Sequence, residues 1–114
     1  MTDNVIPPCG PERDRLVAEA VGWTWVEYAD AIVVRCPSSS DPDALAALEA
    51  WCKLVPGRAV SIDLYFLPDG GTMCSCWDHA DPDNDMSPYV GRGFTLRDAA
   101  TAALVRWRNE RSQS

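Results

Sequence analysis

The sequence predicts an α+β domain: a mainly antiparallel sheet of about three to five strands covered by three helices, a layered α/β sandwich. Three observations predict it. Residues Val60 to Phe66 alternate apolar and polar side chains and run into Pro68-Asp69-Gly70-Gly71, which reads as a strand entering a hairpin. Three other segments repeat apolar residues every three or four positions between capping residues, which reads as helices. The order is helix, strands, helix, hairpin, helix, without the β-α-β alternation that builds parallel sheets.

The first ten residues carry Pro7-Pro8 and Cys9-Gly10 and are expected to form a flexible arm. One folded domain then spans residues 11–111, and residues 112–114 are a fraying tail. Pro11 suits the first position of a helix, Glu12 lies in its first turn, and Leu16, Val17, Ala20 and Val21 form its apolar stripe up to Gly22. Trp23 to Tyr28 and Ile32-Val33-Val34 are rich in aromatic and β-branched residues. Around Ala29-Asp30-Ala31 they form a hairpin or one bent strand.

After the Pro37-Ser38-Ser39-Ser40 loop, Asp41 is read as the cap of a second helix, with Pro42 at its first position. Leu45, Leu48, Cys52 and Val55 recur at helical spacing, and Pro56-Gly57 stops the run. Val60, Ile62, Leu64 and Phe66 share one strand face, and Thr72 to Trp77 folds back as the antiparallel partner. Tyr89-Val90 adds a short strand before Gly91-Arg92-Gly93. A third helix starts at Thr95, with Asp98 three residues on as in a capping box. Leu96, Ala99, Ala100, Ala103, Leu104 and Trp107 form its apolar face. They should pack beside the Val60 to Phe66 side of the sheet and leave Arg97, Arg108 and Arg111 in water as the main positive patch.

Composition narrows the function classes. With 114 residues and 46% apolar content the chain is an ordinary globular domain, without an apolar run long enough to span a bilayer. Five cysteines, an odd number with no secretory context, point to reduced thiols in a cytoplasm. The net charge of −7 repels nucleic-acid phosphates, so direct DNA binding is disfavoured. The charge is uneven: the last 23 positions are net +3 and residues 1–91 net −10.

The Leu16-Val17-Ala18-Glu19 helix running into Gly22-Trp23, the Asp-initiated alanine-rich helix, the hairpin and the alanine-rich helix from Thr95 together resemble the phage ABA-sandwich domain family. The similarity covers residues 13–108. The family pattern carries Trp in the middle helix where this chain has Leu48. The resemblance implies a phage or prophage origin, a host-cytoplasm location and an accessory role, with no catalytic residues to carry over.

Cys74, Cys76 and His79 offer zinc-type ligands, but residues two apart on a strand share a face without forming a Cys-x2-Cys knuckle, so packed thiols are favoured and no metal or other cofactor is expected. Asp81, Asp83 and Asp85 match positions 1, 3 and 5 of a calcium loop, which then fails at Met86 and Arg92. Gly91-Arg92-Gly93-Phe94-Thr95 before a helix is a candidate anion seat, but a lone Gly-x-Gly is a weak signal and the plainer reading, glycines that let the chain turn, is favoured. Trp23, Trp25, Trp51, Trp77 and Trp107 read mainly as core. His79 has no catalytic motif around it, and no enzyme is expected.

Two function expectations follow. The first is a non-enzymatic protein that blunts a host defence complex, binding a basic surface of a host protein through Asp78, Asp81, Asp83 and Asp85. The second is a sponge for a small nucleotide-like signal, built from Arg92, Thr95 and an exposed Trp25, with the pocket completed in an oligomer.

Overall fold

The computed structural model describes residues 6–23, 36–54, 60–78 and 88–112. Within them the chain forms α1 (Pro11–Val21), α2 (Asp41–Lys53), β1 (Val60–Phe66), β2 (Thr72–Asp78), β3 (Tyr89–Gly93) and α3 (Leu96–Ser112). The three strands make one antiparallel sheet in the order β1-β2-β3. The α+β layout predicted from the sequence is therefore present. The second expected strand region falls on residues 24–35, outside the described residues.

Local signals explain the helix boundaries. Gly22 takes a left-handed conformation (φ 80°) and closes α1, with the Trp23 amide donating to the Ala18 carbonyl. The start of α2 corrects the sequence reading: Ser40 is the cap, its hydroxyl accepting from the Asp43 amide, and Asp41 is already helical. Ser40 holds an extended backbone, which frees its side chain to reach forward over the first turn. Thr95 caps α3 as expected, accepting from the Asp98 amide at 3.1 Å.

The β1-β2 hairpin turns through Pro68-Asp69-Gly70, with Gly70 at φ 93°. The Leu67 amide donates to the Gly71 carbonyl and the Gly70 amide to the Leu67 carbonyl, a three-residue loop whose glycine relieves the positive φ.

The third helix departs from its expected seat. It lies over β3 and β2, while the face of β1 receives only lighter packing from α2. Two glycines fix this placement. A Cβ built on Gly91 would overlap the Ala99 carbonyl and the Ala103 amide, and one on Gly93 would overlap the Asp98 side chain. Backbone therefore meets backbone at Gly91, with only alanines between helix and strand.

The core is Val17, Ala20 and Val21 of α1, Ala44, Ala47, Leu48 and Trp51 of α2, Cys74 and Cys76 of β2, Tyr89 of β3, and Ala99, Ala100, Ala103, Leu104, Val105 and Trp107 of α3. Trp51 and Trp107 meet edge to face with ring centroids 5.9 Å apart, joining α2 to α3. Ile62 and Leu64 border this core, but Phe66 is 73% exposed. No described helix is long and apolar enough to cross a membrane.

Candidate functional site

The antiparallel register decides which backbone groups of β3 are available. Leu67 and Gly71 form a hydrogen-bonded pair, so the bonded positions of β2 toward β1 are Met73, Ser75 and Trp77. Thr72, Cys74 and Cys76 then turn their amides and carbonyls toward β3, where they face Gly93, Gly91 and Tyr89. The alternate residues, Val90 and Arg92, present their amides and carbonyls at the outer edge of β3. No described strand pairs with that edge.

Beside this edge is a cavity of about 460 Å³ lined by Ile6, Arg13, Val90, Gly91, Arg92, Ala102 and Arg106. Its walls come from α1, α3, β3 and the segment leading into α1. On α3, Ala99, Ala102, Ala103 and Arg106 fall at spacings of three and four, so the helix face that grips Gly91 also carries Arg106 to the cavity. On α1, Arg13 stands one turn before Val17 on the buried stripe, and its side chain is almost wholly buried.

The three guanidinium groups differ in what answers them. Arg13 donates from Nη1 to the Asp98 carboxylate (2.6 Å), the Asp98 carbonyl (3.1 Å) and the Thr101 hydroxyl (3.2 Å), and from Nε to the Pro7 carbonyl (2.8 Å). Its charge is matched by Asp98, and it fastens the segment bearing Ile6 to the start of α3. The Gly10 amide, donating to the Ser38 hydroxyl at 2.9 Å, anchors the same segment. Arg92 is exposed and makes no ion pair among the described residues. Arg106 makes none among them either, and its Nε is buried without a hydrogen-bond acceptor. Among the described residues, the cavity therefore carries two arginine charges that no carboxylate answers, on a net negative protein.

This moves the positive patch from where the sequence put it. Arg97 pairs with Asp41 (3.1 Å) and Arg108 with Glu19 (2.5 Å), so both are answered by carboxylates of other helices. The side chain of Arg111 lies outside the described residues. Such pairings join residues far apart in sequence, and a count of charges along one helix does not reveal them. Arg106, which stands in the same stretch of α3, is instead the one on the packed face. Its spacing from Ala99 and Ala103 was the available signal.

The other candidate residues separate. Arg92 is at the cavity, whereas Thr95 is spent on capping α3 and does not line it. The start of α3 is not an open anion seat, because the chain's own Asp98 carboxylate stands in its first turn and is held by Arg13. Trp25, His79, Asp81, Asp83 and Asp85 lie outside the described residues, and so does the side chain of Asp78, which ends β2. Cys74 and Cys76 are buried beneath the helices as free thiols. Cys76 is pushed well above the usual thiol range by its hydrogen bond with Cys74 and by burial. Among the described residues no three His, Cys, Asp or Glu side chains converge as metal ligands. Trp51 and Trp107 are core, Trp23 borders it, and Trp77 lies half-buried on the sheet face away from α3, donating from Nε1 to Asp63 at 3.0 Å.

No family model matches the chain, and neither a curated protein nor a solved structure is similar to it.

Proposed function

We propose that this protein is a non-enzymatic binding protein that captures a small anionic ligand in the Arg13, Arg92 and Arg106 cavity. The observation that carries the reading is that Arg92 and Arg106, neither in an ion pair among the described residues, line the same cavity. The described lining offers arginines and apolar groups. These side chains bind and orient an anion. The net charge of −7 favours a small ligand over a nucleic-acid strand, because a polyanion is repelled by the body of the protein before it reaches the cavity. In a phage setting, which the family resemblance implies, the use of such a protein would be to withdraw an anionic signal from the host.

Ligand-shift thermal melting tests the proposal, with a panel of inorganic phosphate, nucleotides, sugar phosphates and dicarboxylates on the parent protein and on Arg106→Ala. At least one anion should raise the melting temperature of the parent and lose that effect in the variant. A panel without a shift, or shifts that survive in Arg106→Ala, would reject it.

A further inference from the structure

We infer that the group taken by the cavity is a dianion, the terminal phosphate of a phosphate monoester, seated between Arg92 and Arg106 against the outer edge of β3. The inference rests on the anion-capture reading and adds the charge state and chemical class of the ligand. Charge is the first argument. Asp98 already answers Arg13, so among the described residues two guanidinium charges remain at the cavity. A carboxylate or a phosphodiester brings one negative charge and leaves one of them unanswered. A phosphate monoester carries about −1.5 to −2 near neutral pH and answers both.

Donor count is the second argument. Arg92 and Arg106 both line the cavity and the amides of Val90 and Arg92 face the outer edge of β3 beside it, while a monoester phosphate presents three terminal acceptor oxygens. The third argument is room. At about 460 Å³ the cavity is larger than a lone phosphate needs, and its remaining wall of Ile6, Val90 and Ala102 is apolar. It therefore has space for an uncharged body attached to the phosphate.

The test uses the full chain and isothermal titration near pH 7.5 with three probes that share one body: adenosine 5′-monophosphate, adenosine 3′,5′-cyclic monophosphate and adenosine. Glucose 6-phosphate and inorganic phosphate show whether the body matters. The monoester should bind about tenfold or more tighter than the cyclic diester of the same nucleoside, the difference of one charge-assisted contact. Its affinity should weaken as pH falls through about 6, where the phosphate takes up its second proton. Arg92→Gln, at an exposed side chain, should lose about tenfold for the monoester and little for the diester, while leaving the melting temperature of the free protein in place. Equal binding of monoester and diester, or affinity that ignores pH between about 5 and 8, would overturn the inference and leave anion capture standing. Failure of all five probes to bind would overturn both.

Discussion

The two edges of the sheet are built on opposite plans. At β3 the helix backbone sits directly on the strand, with glycine below and alanine above, and Ala99, Ala103, Leu104 and Val105 have no exposed surface. At β1 the same face of the sheet ends in Phe66, 73% exposed, and the neighbouring Leu64 and Ile62 are only half-buried. Stability should therefore be concentrated on the β3 side. That side also carries the arginine cavity, so among the described residues the site is built on the tightly packed edge of the sheet.

Trp107 should give the largest effect. It is buried against Trp51 and is the link by which α3 and α2 close over the sheet. Trp107→Ala should cost about 3–5 kcal/mol in denaturant unfolding, a large share of the stability of a domain this size. A cost below about 1 kcal/mol would mean that the helix layer does not depend on this contact.

Gly91→Ala should come next. The added methyl has no rotamer by which to avoid the Ala99 carbonyl and the Ala103 amide, so α3 must move away from β3. The expected loss is about 3 kcal/mol, the upper end of overpacking costs. Because Gly91, Ala102 and Arg106 share the cavity, the same substitution should weaken any anion binding. Gly71→Ala is a useful control in the hairpin, where a Cβ would meet Asp69 Oδ1 at 3.2 Å and no buried helix backbone.

A smaller effect is expected from alkaline pH. Folding holds the Cys76 thiol protonated beyond its usual value of 9.0, through its bond with Cys74 and its burial. Above that value the unfolded chain releases a proton that the folded chain retains, so this contribution is complete below about pH 9 and declines as pH rises further. The melting temperature should fall as pH rises above about 9, and the fall should be shallower in Cys76→Ala. A thiol reagent at pH 8 should label exposed Cys9 quickly and Cys74 and Cys76 only on unfolding.

Much of this arrangement was legible in the sequence, and the limit of legibility has a physical cause. Helix starts and stops are local: Pro11, Gly22, Ser40 to Asp43 and Thr95 to Asp98 act within one turn, and a reader needs only neighbouring residues to place them. The β1-β2 hairpin is equally local. The length of β3 was not legible, because Gly91 and Gly93 weaken a strand signal and their reason for being glycine is the helix that lands on them. The site was half legible. Arg92 beside glycines was visible as a candidate anion ligand, while Arg13 and Arg106 required knowing that α1, α3 and β3 meet. Which arginines are neutralised depends on Glu19 and Asp41, each on a different helix from its partner.

The smallest expected effect tests the exposed edge. Phe66 shares a strand face with Ile62 and Leu64, yet it stands at the hairpin end of β1, and α3 is displaced toward β3 by its seat on Gly91. Phe94, 85% exposed, follows Gly93 at the same end of the sheet. Removing a side chain that is already in water forfeits little burial, so Phe66→Ala should change unfolding free energy by no more than about 0.5 kcal/mol. A loss of about 2 kcal/mol or more would show that Phe66 is covered in solution, and the sheet edges would then be more alike than described. Melting at several protein concentrations separates the two causes of such a loss. A Phe66-dependent rise with concentration assigns the cover to a second copy of the chain, and a concentration-independent loss assigns it to the same chain.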